Sequence, residues 1–122
     1  MISTKELAAK ILSKFFVWKI KKWSKKPTQT QSKVFKKLIY KGKETRFGKD
    51  HKFDQIKNHK DFVMNVRVRD YEDLGLYIDR VVKGEENVLW PGKPLYFAKT
   101  SGTTSGEKYI PITKESMPTH IN

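Results

Sequence analysis

Cysteine is absent from the 122 residues, which excludes disulfides and thiolate metal sites outright. The three histidines, His51, His59 and His120, lack metal-ligand spacing, so no metal site is expected among them. No uninterrupted apolar run approaches the roughly 20 residues that span a bilayer. The basic, apolar first residues are followed by no small-residue cleavage site, so the expected location is cytoplasmic. Arginine is scarce where positive charge is dense. Residues 1–60 hold 18 Lys/Arg against 4 Asp/Glu, and Arg46 is the single arginine among them. Residues 61–122 hold 8 against 9, so the net charge of +13 belongs to the first half alone. Base readout and bidentate phosphate clamps favour arginine, and a lysine-rich half reads better as solvated helix faces. A basic nucleic-acid- or membrane-surface-binding module is the alternative that this asymmetry raises.

With 37% hydrophobic residues the chain is too apolar to be wholly disordered, and its length allows one modest core. Ser3 with Glu6 has capping-box spacing and predicts a helix start. Leu7, Ala8, Ile11, Leu12, Phe15, Phe16, Trp18 and Trp23 then share about half a helix circumference. Such a stripe suits packing on the body of a larger protein, or, with its lysines, an anionic membrane surface. Pro27 is expected to close this helix, and Thr28 to Ser32 to form a connector or the first turn of a second helix carrying Val34, Phe35, Leu38 and Ile39 up to Gly42. Thr45 to Ile56 reads as a loop. Asn58 with Asp61 starts a short helix, and Asp70 caps another bearing Tyr71, Leu74, Ile78 and Val81, with Gly75 inside it and Gly84 at its end.

Beyond Gly84 the pattern changes. Pro91-Gly92 signals a turn, Leu95 to Ala98 reads as a strand, and Tyr109 to Ile112 as a returning strand in which Pro111 requires an edge or non-bonded position. Between them lies Thr100-Ser101-Gly102-Thr103-Thr104-Ser105-Gly106, a stretch of only Thr, Ser and Gly, followed by Glu107-Lys108. Glycines let backbone N–H groups turn towards an anion, hydroxyls add neutral donors, and Lys108 adds a mobile positive charge. These groups suit a polyphosphate. The spacing is not that of a Walker A loop, because only three residues separate Gly102 from Gly106 and Glu107 precedes the lysine. A plain hairpin tip has the same composition. Thr113 is expected to start one more helix.

The stretch Phe97-Ala98-Lys99-Thr100-Ser101-Gly102-Thr103-Thr104-Ser105-Gly106 resembles the phosphate-binding motif of the acyl-CoA synthetase, adenylation-domain and luciferase superfamily. Within it the chain is most similar to the auxin-responsive promoter family of acyl acid–amido synthetases. Supporting blocks are Thr45-Arg46-Phe47-Gly48-Lys49-Asp50-His51, Asp70-Tyr71-Glu72-Asp73-Leu74 with Tyr77-Ile78, Asn87-Val88-Leu89-Trp90-Pro91-Gly92-Lys93, and Lys108-Tyr109-Ile110-Pro111-Ile112-Thr113. The resemblance covers about residues 40–122. Arg67 stands where the family usually has proline, and Gly75-Leu76 replaces Lys-Pro; both departures are expected to touch packing.

The resemblance implies an α/β family fold, of which this chain is the N-terminal part of the large adenylate-forming domain. That part would be mostly α-helical over residues 1–84, with a β-hairpin, strand-loop-strand, at 95–113 carrying the phosphate loop. It implies an ATP-dependent ligase that adenylates a carboxylic acid and transfers the acyl group to an amine such as an amino acid. Thr100, Ser101, Gly102, Thr103, Thr104, Ser105, Gly106 and Lys108 would bind the ATP phosphates. The ligands of Mg2+, and the groups for adenine and ribose, would lie in the rest of the polypeptide, and no catalytic residue is assigned in this stretch. The 122-residue fragment alone is expected to be inactive. Its expected partners are ATP, the acid, the amine and the remaining polypeptide, with no specific nucleic acid and no transmembrane segment.

Overall fold

The computed structural model describes residues 3–102 and 106–118. Five helices precede one hairpin: α1 (Thr4–Ser24), α2 (Pro27–Gly42), α3 (Arg46–Asp50), α4 (His59–Asn65) and α5 (Gly75–Val82), then β1 (Tyr96–Gly102) and β2 (Gly106–Ile112). Short 3-10 turns lie at Phe53–Gln55 and Glu72–Leu74, and the described residues are mostly helical with a two-stranded hairpin, as expected. Two compact units divide it, Met1–Phe35 and Lys36–Asn122, with the boundary inside α2.

The first unit begins with the expected capping box. The Ser3 side chain accepts from the Lys5 amide, and the Ser3 amide donates to Glu6 Oε2 at 3.2 Å. No residue of α1 is buried; Leu7, Ile11, Phe15, Trp18 and Trp23 are each about half exposed. α1 ends at Ser24, shortly before Pro27, as expected, and Pro27 also has a second role. It is the first residue of α2, where a missing N–H goes unneeded and the fixed φ suits the first turn. Thr28 to Ser32 is therefore the start of a helix.

The second unit carries the core: Ile39, Ile56, Ile78, Val81 and Val88, of which Val88 is 1% exposed. The stretch Thr45 to Ile56 is not a loop. Thr45 caps α3, and every amide of its opening turn finds a carbonyl or hydroxyl. Thr45 N–H donates to Gly42 O at 3.0 Å, Arg46 N–H to Asn87 O at 2.8 Å, Phe47 N–H to Val88 O at 3.0 Å, and Gly48 N–H to Thr45 Oγ1 at 3.0 Å. The Thr45 hydroxyl in turn donates to Gly42 O at 2.6 Å, which is how a threonine comes to be 1% exposed. Periodicity could not find this five-residue helix, because its start is held by partners about forty residues away.

Of the remaining helices α4 is capped by Asn58, whereas α5 starts from Leu74 without a side-chain cap. Asn58 Oδ1 accepts from Asp61 N–H, and Asp61 Oδ2 from Lys57 N–H. Asp70 Oδ1 accepts from Asp73 N–H at 2.8 Å. Gly75 is the first residue of α5, at its junction with the Glu72–Leu74 turn, rather than inside a continuous helix. Leu76 is 80% exposed and Arg67 is exposed, so neither departure from the family pattern touches packing. After α5, Asn87 at φ 57° and Gly92 at φ 77° close a tight loop, with Asn87 Oδ1 accepting from Gly92 N–H at 2.8 Å.

Two glycines make opposite predictions. A Cβ on Gly48 would lie 2.0 Å from the Gly42 carbonyl oxygen, whereas one on Gly75 meets nothing within 4 Å. Gly48→Ala should therefore cost at least about 3 kcal/mol, because backbone would have to move. Gly75→Ala, at a helical φ of −49°, should stabilise by up to about 1 kcal/mol. Thermal or urea unfolding of both variants checks this; equal effects of the two would contradict the close approach.

Candidate functional site

The hairpin is antiparallel, with Tyr96 opposite Ile112, Thr100 opposite Lys108, Ser101 opposite Glu107 and Gly102 opposite Gly106. The seven-residue loop expected between the strands is thus shorter. Thr100, Ser101 and Gly102 lie in β1, and Gly106, at φ 85°, opens β2. Thr103, Thr104 and Ser105 lie outside the described residues. Side chains alternate along a strand, so the directly opposed Thr100 and Lys108 share one face of the ladder.

Tyr71 fixes β2 from outside the sheet. Its hydroxyl donates to Tyr109 O at 3.2 Å and accepts from Tyr109 N–H at 2.7 Å, taking the place of a neighbouring strand at that residue. Both main-chain groups of Tyr109 therefore turn away from β1. Two residues on, Pro111 occupies the same outward-facing kind of position, where its missing N–H costs the ladder nothing. This is the non-bonded placement expected for that proline.

Lys108 is held beside the same tyrosine. Its Nζ is 3.4 Å from Glu72 Oε1 and 5.2 Å from the centre of the Tyr71 ring. A capped helix start accounts for Tyr71 and Glu72 in the sequence, and nothing there signals contacts 38 and 36 residues away. On β1, Lys99 pairs diagonally with Glu107, and Tyr109 Oη donates to Glu107 Oε2 at 3.2 Å. The Lys99 bond holds the Glu107 carboxyl below its ordinary value, and Glu107 raises Lys99 above its own.

Behind the hairpin's anchor lies an aromatic cluster. Phe47 stacks on His51 at 4.0 Å between centroids and meets Tyr77 edge-on at 5.2 Å. His51 is 6% exposed; one ring nitrogen faces Phe47 O and the other Arg69 Nη2, each at 2.7 Å. A guanidinium has only donors, so Nε2 accepts and Nδ1–H donates to the carbonyl. Tyr77 Oη donates to Asp50 Oδ2 at 2.9 Å, and burial first, then that carboxylate, push the phenol above its ordinary value. His51 is thus held in packing. Among the described residues no group of three His, Asp or Glu is placed to hold a metal, and His120 lies outside them.

Tyr71→Phe keeps the ring but removes the hydroxyl that serves both Tyr109 groups. It should cost about 1–2 kcal/mol and accelerate hydrogen exchange of the Tyr109 amide; unchanged exchange would show that the clamp does not hold in solution. The Lys99–Glu107 pair has a pH signature. A depressed carboxyl contributes above its ordinary value, and its contribution is lost as pH falls through the lowered one. A carboxyl NMR titration should place Glu107 below 4.5 and find it moved upward in Lys99→Met.

A family model described as the GH3 family N-terminal domain matches residues 17–122. Indole-3-acetic acid-amido synthetase GH3.15 of Arabidopsis thaliana is 32% identical over 96 residues, which are 77% of this chain and 16% of that protein. Indole-3-acetic acid-amido synthetase GH3.2 of the same plant is 29% identical over 100 residues, 80% of this chain and 18% of that protein. The chain spans less than a fifth of the length of these relatives. The sequence blocks that point to an acyl acid–amido synthetase and the matched region coincide, and the chain belongs to the GH3 family.

Proposed function

We propose that this chain supplies the ATP-phosphate-binding part of a ligase that adenylates a carboxylic acid and passes the acyl group to an amine. The observation that carries the reading is the hairpin: a Thr/Ser/Gly connection between two strands, with Thr100 and Lys108 directly opposed. It stands in a chain whose curated relatives are named amido synthetases. In the first step the acid's carboxylate oxygen attacks the α-phosphorus of ATP, and pyrophosphate leaves. In the second the amine attacks the acyl carbon, AMP leaves with the electron pair of the broken C–O bond, and the nitrogen releases a proton to solvent.

For this chain's residues the reading assigns binding and charge neutralisation. Gly102 and Gly106 form the last pair of the ladder and carry no side chain to stand between their main chain and a phosphate oxygen. Thr100, Ser101, Thr103, Thr104 and Ser105 add neutral donors, and the Lys108 ammonium offsets charge on the departing pyrophosphate. Mg2+ would enter with ATP, its protein ligands lying in the remainder of the synthetase. The chain by itself holds part of one substrate's site and carries out neither step. The donor set fits an anion: Thr100 brings a hydroxyl and Lys108 an ammonium whose counter-charge, Glu72, is on another element.

In a polypeptide of full family length, Ser101→Ala with Thr103→Ala should slow acid-dependent ATP–pyrophosphate exchange about tenfold, the loss of two neutral donors. Exchange at the original rate would reduce the hairpin to a connector and remove the main support for this function.

A further inference from the structure

We infer that Glu72 is an exchangeable counter-ion for Lys108: it holds the ammonium in place beside the hairpin until a polyphosphate displaces it. The inference rests on the phosphate-binding reading of the hairpin and adds a residue to it from outside the Thr/Ser/Gly stretch. Lys108 Nζ lies 3.4 Å from Glu72 Oε1, with the two side chains 31% and 50% exposed. An ion pair so accessible contributes little to stability and exchanges readily. A pyrophosphate group carries several negative charges where Glu72 carries one, and it draws the same ammonium more strongly.

Each partner is positioned for the exchange. Lys108 projects from a strand pinned at the next residue by the Tyr71 hydroxyl, and its ammonium lies 5.2 Å from the centre of the Tyr71 ring. Glu72 begins the 3-10 turn that leads into α5, and Asp70 Oδ1 accepts from the Asp73 amide within it. The Glu72 side chain is 50% exposed, so water reaches its carboxylate. Losing Lys108 therefore strands no buried charge. The pair also sets a threshold: a singly charged anion gains little by replacing one carboxylate with another, whereas a polyphosphate gains. Glu72 is thus a positioning residue acting through Lys108.

The test is calorimetric titration of a polypeptide of full family length with inorganic pyrophosphate at low salt, comparing wild type, Glu72→Gln, Lys108→Met, the double variant and Asp73→Asn. Removing the competitor should tighten binding in Glu72→Gln about two- to fivefold, as the exposure of the pair allows. Lys108→Met should weaken it, and the gain should vanish in the double variant. Asp73→Asn removes an equal charge next door and should leave affinity near wild type. If Glu72→Gln binds no more tightly, or Asp73→Asn tightens binding equally, the inference fails while the phosphate reading stands. If wild type does not bind, or Lys108→Met binds as wild type does, both fall. A measurement on the unaltered chain guards against a variant that misfolds: the Glu72 carboxyl carbon signal should move on saturation with pyrophosphate. A signal that stays in place would overturn the exchange.

Discussion

The amides that open α3 cannot be satisfied within so short a helix, and the chain brings their acceptors from elsewhere. Thr45 supplies a hydroxyl, Gly42 a carbonyl that receives two bonds, and Asn87 and Val88 one carbonyl each. Leaving such donors buried and unpaired would cost more than the net worth of any one of these bonds. That requirement draws the segment after α5 against the corner between α2 and α3 and buries Val88 almost completely. Gly48 follows from the same demand, since only a residue without a Cβ lets the helix approach the Gly42 carbonyl.

The rest of the second unit is arranged around that corner. Phe47, on the first turn of α3, gathers His51, Phe53 and Tyr77 around its ring. Tyr77 ties α5 to Asp50, and the turn before α5 presents Tyr71 and Glu72 to β2. The blocks that carry the family resemblance are therefore in contact. Thr45 to His51 bonds to Asn87 and Val88, and Tyr71 to Ile78 reaches both Asp50 and Tyr109. A hairpin of two strands is marginal alone in water. Here one strand edge is held at Tyr109 by a side chain fixed to the helical layer.

The first unit differs in kind. Its lysines surround an α1 that buries nothing, with Lys22 lying over Trp18 at 5.1 Å. The family match begins at residue 17, inside this helix. Among the described residues no helix is long and apolar enough to cross a membrane. The concentration of charge is a property of this unit and of α2, while the hairpin and its anchor come from the nearly neutral second half.

Features whose cause is local were legible in the sequence. The Ser3–Glu6 box, the Asn58 cap, the Pro91-Gly92 turn and the two strands each depend on residues a few positions apart, so spacing revealed them. The ordered blocks identified the family. What only the tertiary structure decided depends on partners distant in sequence. Thr45 to Ile56 looked like a loop because the groups that make α3 possible sit at Asn87 and Val88. The strands run on to Gly102 and back from Gly106 because ladder pairing holds residues whose composition suggests a turn. Tyr71 and Glu72 looked sufficient as a helix start, yet one pins Tyr109 and the other holds Lys108. A cap is written in three or four neighbouring residues; a hydroxyl meeting a backbone 38 residues away is written nowhere until the chain has folded.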